Sequence, residues 1–245
     1  MVKFPEPLDG PVETGARYAI FFAPGHNAPL HALGSHWLGR DSIKGNMIEQ
    51  PVVPGMTASR LSAVTAAPRG YGFHATLKPP FHLKPGQVPK ALLEASQALA
   101  RKHEPYEVNF VLRQFSDFFA LMQGQSKVAT QALASAAVSE LDGFRALPGE
   151  RELGHHRQAG LSGAQESLLQ RWGYPFVMNE FRFHMTLSQR ITNDAEADVM
   201  RTTLQLHFQK ILECPQWIDA ITVFRQDQCG APFVQVERFP LGRTA

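Results

Sequence analysis

Cysteine is scarce in this chain: only Cys214 and Cys229 occur among 245 residues. They form no Cys-x-x-Cys pair and have no histidine at ligand spacing, which argues against a disulfide framework and against a thiolate zinc site. The reading is two reduced thiols in a cytoplasmic protein. Neither sign of charge is in excess, with 24 Lys and Arg against 22 Asp and Glu. A net charge of +2 is too small to be a nucleic-acid footprint by itself. No apolar run approaches the roughly 20 residues that span a bilayer. The first residues, Met1 to Thr14, are polar and Pro-rich, without an apolar signal core. A Gly-rich phosphate loop with lysine at the proper spacing is also missing, which leaves a ligase reading without support. The expectation is a soluble, cytoplasmic protein with no membrane contact and no obligate protein partner.

The apolar content is ample: 44% of residues are hydrophobic, enough for a substantial core. The length suits one large domain or two lobes of roughly 100–150 residues each. Residues 1–15 read as a loose tail. The run 17–23 reads as a central strand, and 29–38 as a short helix. The stretch 39–55 is rich in loop residues. A helix over 57–66, with Thr57 as its cap, is stopped by Pro68. A strand over 72–78 ends at Pro79-Pro80, and a helix follows over 89–103. Strands at 106–113 and 118–122 are joined by a short junction, and an Ala-rich helix covers 127–141. Residues 144–160 read as the connector between two halves. A helix at 162–172 opens with Ser162 and Gln165 in capping-box spacing. Then come a strand at 179–190, a helix at 194–213, and strands at 217–225 and 232–239. Each half therefore runs strand, long helix, strand, strand, a weak internal repeat within α+β order.

Those two leading strands carry the same words. Residues 73–77 read Phe-His-Ala-Thr-Leu and residues 183–187 read Phe-His-Met-Thr-Leu. Strand side chains alternate between faces. His74 and Thr76 thus share one face, as do His184 and Thr186, with the apolar residues between them turned the other way. Alternation adds Lys78 to the first set, and Ser188 and Arg190 to the second. Lys78 and Arg190 are candidates to hold a phosphate, arginine in a two-pronged manner. Tyr71 and Phe81 are candidates to stack on a base or sugar. Arg17, Tyr18 and Arg182 are weaker candidates. His26, His31 and His36 invite a metal reading, but steps of five do not stay on one helical face. They are read as surface or packing residues, and no metal or cofactor is expected.

The paired His-x-Thr motifs resemble those of the 2H phosphoesterase superfamily. The longer run from Tyr71 to Phe81 resembles a branch of it, a domain of unknown function (DUF1045) associated with phosphonate metabolism. The superfamily resemblance implies a single bilobal unit over residues 1–245. In it, two pseudo-symmetric lobes with antiparallel sheets line a central cleft, helices lie outside, and each lobe supplies one His-x-Thr. It further implies a small cyclic phosphate, or a nucleotide or RNA end, as substrate.

Phosphodiester cleavage requires one group to accept a proton from the attacking oxygen and another to deliver one to the leaving oxygen. Histidine does both near neutral pH. Two of them on opposite sides of a phosphate match in-line displacement, and Thr76 and Thr186 can donate to its non-bridging oxygens. The expected activity is a metal-independent phosphodiesterase. The alternatives are a module that grips nucleotide or RNA phosphate without turnover and a histidine-ligated metal hydrolase.

Overall fold

The structure is a computed structural model that describes residues 15–115, 117–124, 127–158 and 160–242. The expected tail, residues 1–15, falls outside these except for Gly15. In chain order the elements are β1 (Arg17–Phe22), α1 (Pro29–Leu38), α2 (Ala58–Val64), α3 (Ala66–Tyr71), β2 (Ala75–His82) and α4 (Pro89–Ala100). They continue with β3 (Tyr106–Val108), β4 (Phe110–Phe115), β5 (Phe118–Gln123), α5 (Val128–Glu140), α6 (Glu150–Arg157) and α7 (Gly163–Trp172). The last are β6 (His184–Thr186), α8 (Asp194–His207), α9 (Gln209–Leu212), β7 (Gln216–Ile218), β8 (Ala220–Gln226) and β9 (Val234–Pro240).

Seven strands form one sheet in the order β4-β5-β6-β2-β1-β8-β9, and β3 pairs with β7 in a separate ribbon. Every pairing described is antiparallel. The α+β class expected from the sequence holds. In place of a sheet for each lobe there is one continuous sheet, and the two motif strands meet at its middle. The repeat is visible as β2-α4-β3-β4-β5 followed by β6-α8-β7-β8-β9. The halves exchange strands. The β4-β5 hairpin of the first half pairs with β6 of the second, and β8-β9 reaches β2 through β1.

Alternation sorts the side chains of this sheet. Ile20, Phe22, Ala75, Leu77, Leu121, Met185, Ile221 and Val223 point to one face and join one core with Leu92, Leu99, Leu133, Met200 and Leu204 of the helices. The other face carries a smaller cluster of Ala19, Phe21, Ala23, Phe224 and Phe233, with Tyr71 packed on it. Burying the first set against the helices supplies the main apolar stabilisation. Trp37 pins α1 to the end of the second motif: its Nε1–H donates to the Leu187 carbonyl at 2.8 Å in a buried site.

Several boundaries differ from the sequence reading, each for a physical reason. Pro68 does not stop a helix. It falls in the first turn of α3, where its missing N–H leaves no bond unmade. Pro79 and Pro80 do not end β2, which runs on to His82. The described pairing with β6 is at Ala75, and the pairing with β1 slips register twice beyond Thr76. Proline is tolerated along such an edge. The second motif strand is three residues long instead of twelve, entered through a 3-10 turn at Met178–Glu180. The supposed connector contains α6, and the last long helix is broken at Phe208 into α8 and α9. The caps were legible: Thr57 accepts from the Arg60 N–H at 3.2 Å, and Ser162 and Gln165 form their capping box. Among the described residues no helix is long and apolar enough to cross a membrane.

Gly34 lies inside α1, where alanine is ordinarily preferred by about 1 kcal/mol. A Cβ there would sit 2.1 Å from the Phe73 ring. Phe73 precedes His74, so helix and motif are packed too closely for one methyl group. Gly34→Ala is therefore expected to destabilise the protein by about 1–3 kcal/mol in urea unfolding. A variant as stable as wild type or more so would refute this packing.

Candidate active site

The site begins at one strand pairing. Ala75 of β2 stands opposite Met185 of β6. In an antiparallel register this sets His74 across from Thr186, and Thr76 across from His184. All four side chains emerge on the same face, the one that also carries Phe21 and Phe224. Neighbouring strands lie about 4.8 Å apart, so the two imidazoles and two hydroxyls form a compact square. The neighbours extend the pattern, with Phe21 opposite Thr76, and Ala120 and Met122 opposite Thr186 and His184.

Both histidines are held in the same way. His74 Nδ1 lies 2.9 Å from the Gly72 carbonyl oxygen, and His184 Nδ1 lies 2.7 Å from that of Arg182. A carbonyl only accepts, so Nδ1 carries the proton in both rings. In the neutral form Nε2 then keeps its lone pair. Thr76 Oγ1 is 3.2 Å from His74 Nε2 and donates to it in that form. Gly72 makes the first of these bonds possible. It has φ of 81°, and a Cβ on it would meet Ser42 at 2.4 Å.

Aromatic rings enclose His74. Its centroid is 3.9 Å from that of Phe21, and it stacks on Tyr71 at 5.7 Å with 15° between planes. Tyr71 stacks in turn on Phe233 at 5.0 Å. Phe118 lies 6.2 Å from His184. Burial among these groups disfavours the imidazolium and lowers His74 to about 4; the Gly72 carbonyl opposes the shift and a charge on His184 adds to it. His184 is also lowered by burial, against its bond to Arg182. The rings therefore sense each other, and a proton on one discourages a proton on the other.

The remaining expected residues divide. Tyr71 is at the site, its phenol raised by burial and bonded to Arg17. Lys78 is not. The register slips between β1 and β2 break the alternation, and its ammonium lies under α5 with the Val138 carbonyl at 3.0 Å and Asp142 Oδ1 at 3.3 Å. Burial lowers it to about 8 despite Asp142. Phe81 is a core residue, with Lys78 5.3 Å above its ring. Ser188 is buried, its Oγ accepting the Phe119 N–H at 3.0 Å. Arg190 is a mostly exposed side chain paired with Asp117. The sequence reading missed Phe21, Phe224 and Phe233. The alternation of β1 and β8 carried the signal for the first two, once the face of the motif was known.

The motif square holds no carboxylate, so it offers a metal only imidazole and hydroxyl groups. A cleft of about 670 Å³ lies past the end of β1 that flanks His74, lined by Pro24, Gly25, His26, Trp217 and Asp219 among others.

The depressed histidine fixes the sign of a pH dependence. His74 titrates near 6.5 in the unfolded chain and near 4 in the fold. Between these values the unfolded state binds more protons. The contribution is thus complete above about 6.5 and is lost as pH falls towards about 4, at no more than about 1.4 kcal/mol per pH unit. Urea unfolding at pH 7.5 and 4.5 is expected to show a larger loss for wild type than for His74→Gln. Equal losses would contradict the burial of this imidazole.

Comparison with known proteins places the chain. The family described as Protein of unknown function (DUF1045) matches residues 76–234, more than half of the chain. Ribose 1,5-bisphosphate phosphokinase PhnN of Janthinobacterium sp. (strain Marseille) is 39% identical over 233 residues, which are 93% of this chain and 51% of that protein. The protein of the same name from Laribacter hongkongensis (strain HLHK9) is 33% identical over 219 residues, 89% of this chain and 50% of that protein. The chain spans about half the length of these curated relatives. By the extent of the family match, the chain belongs to the DUF1045 family.

Proposed function

We propose that the chain is a metal-independent phosphodiesterase of the 2H type that opens a small cyclic phosphate ester with His74 and His184 as its acid–base pair. The observation that carries this reading is the matched geometry of the two motifs: adjacent strands, one face, and Nδ1 of each ring tied to the carbonyl two residues before it. Water adds its oxygen to phosphorus, and one P–O bond of the ring breaks. One Nε2 takes the proton from water and the other Nε2–H delivers a proton to the departing oxygen. The resting pair is deficient in protons, since both rings are depressed. A bound phosphate anion favours an imidazolium, and the repulsion between the rings restricts the pair to one added proton, on a single Nε2. One base and one acid follow from that sharing. Thr76 and Thr186 donate to the non-bridging oxygens as charge builds there.

The name of the relatives suggests the substrate. A kinase that acts on ribose 1,5-bisphosphate has to be supplied with it, and hydrolysis of a ribose 5-phosphate bearing a 1,2-cyclic phosphate yields that compound when the bond to O2 breaks. On this reading the kinase reaction belongs to the half of those relatives that this chain does not cover. This chain has no Gly-x-x-x-x-Gly-Lys-Ser/Thr loop. Its nearest approach, Gly34 to Gly39 followed by Arg40 and Asp41, closes the C-terminal end of α1 instead of joining a strand to a helix. Such a ribose ester also agrees with the link to phosphonate metabolism that the resemblance implies.

Turnover measured in EDTA on ribose cyclic phosphates, 2′,3′-cyclic nucleotides and short 2′,5′- and 3′,5′-linked RNAs tests the proposal. His74→Ala and His184→Ala are each expected to lower the rate on the preferred ester by about 10²–10⁴, with the fold retained. Wild-type turnover that survives both substitutions, or that EDTA abolishes, would overturn it.

A further inference from the structure

His26, His31 and Asp41 come from three places in the chain: the loop after β1, the first turn of α1 and the turn beyond α1. Sequence spacing grouped His26 and His31 with His36 and passed over Asp41, which stands at the next step of five. The fold regroups them. His36 turns to His207, with ring centroids 5.5 Å apart, and Asp41 takes the third place. The ligand atoms of His26, His31 and Asp41 all lie within 4.8 Å of one another. His31 Nε2 is 3.5 Å from Asp41 Oδ1. Two ligands each about 2.1 Å from a tetrahedral ion stand about 3.4 Å apart, so this pair already has the spacing an ion requires.

The surroundings fit as well. His31 and Asp41 are buried, at 5% and 8% exposure, whereas His26 is exposed. Asp41 Oδ1 accepts the backbone N–H groups of Ile43 at 2.8 Å and Lys44 at 3.2 Å, which orient the carboxylate. A simple imidazole–carboxylate contact would account for His31 and Asp41. It leaves His26 unexplained, whose ring stands 5.8 Å from that of His31 at the edge of the 670 Å³ cleft. Two nitrogens and one carboxylate oxygen are the donor set of zinc and its neighbours.

We propose that His26, His31 and Asp41 bind a divalent transition ion of the zinc class, with a fourth position open to the cleft. The site contains neither motif histidine and stands independently of the phosphodiesterase reading. Its ion fastens the end of β1, α1 and the turn from Asp41 to Asn46, which is closed by the Asp41 N–H to the Asn46 carbonyl at 3.0 Å. Ser42 of that turn presses on Gly72, the residue whose carbonyl holds His74. The ion's role is to fasten these segments, outside the reacting atoms, and the acid–base pair is expected to turn over without it.

The test is calorimetric titration of the chelator-stripped full chain with zinc chloride, with thermal unfolding measured in parallel. One equivalent of zinc and a raised unfolding temperature are expected. Both should be weakened by roughly ten- to a hundredfold in affinity or lost in His26→Ala and in Asp41→Asn. His26 is exposed, and asparagine keeps an acceptor for the turn, so both variants should fold. His36→Ala should bind as wild type does. No stoichiometric zinc on wild type, or an equivalent kept at unchanged affinity by either His26→Ala or Asp41→Asn, would overturn the assignment.

Discussion

The pairing of Ala75 with Met185 is the constraint on which the site depends. It is the contact by which the two halves of the repeat share a sheet at its middle, and it sets the register of one motif against the other. A slip of one residue would send either histidine to the helix face and bring an apolar residue into its place. The surrounding structure guards against that slip. Met185 and Ala75 are fully buried, Phe119 accepts the Leu187 N–H at 2.8 Å, and Trp37 holds the Leu187 carbonyl from the other side. A three-residue strand keeps its register because its neighbours on both sides fix it.

Placement alone would give two histidines on a sheet. The aromatic cluster makes them a responsive pair. Phe21, Tyr71, Phe224 and Phe233 remove water from around His74, and the carbonyls of Gly72 and Arg182 fix which nitrogen carries the proton. The cost is a depressed affinity for the second proton, which in the proposed reaction an anionic substrate would offset by its own charge. The same construction accounts for the absence of Lys78 from the site. An ammonium beside these rings would discourage the imidazolium further, whereas under α5 it meets Asp142 and a carbonyl.

The sequence was most informative where pattern and chemistry coincide. The two Phe-His-x-Thr-Leu runs predicted a shared face, and the fold places those four side chains on one face of adjacent strands. Local signals such as the Thr57 cap, the Ser162 capping box and Pro89 opening α4 were legible because they depend on neighbours in the chain. Lys78 was misplaced because alternation assumes an unbroken ladder, and β2 slips against β1 beyond Thr76. Arg190 lies past the end of β6 at Thr186, where alternation lapses, and Phe81, an aromatic beside a strand, went to the core. The exchange of hairpins between halves was not legible, since element order is the same with or without it. Nor was the grouping of His26 and His31 with Asp41, which needs the turn after α1 to fold back on its own helix.

The central claim is that both motif histidines carry Nδ1–H and present Nε2 to a common phosphate. Long-range proton–nitrogen spectra of histidine-labelled protein, recorded with and without inorganic phosphate, test it most directly. The account predicts the Nδ1–H tautomer for both His74 and His184, and a change at both Nε2 signals at the same phosphate concentration. An Nε2–H tautomer at either ring, or a phosphate response confined to one of them, would contradict it.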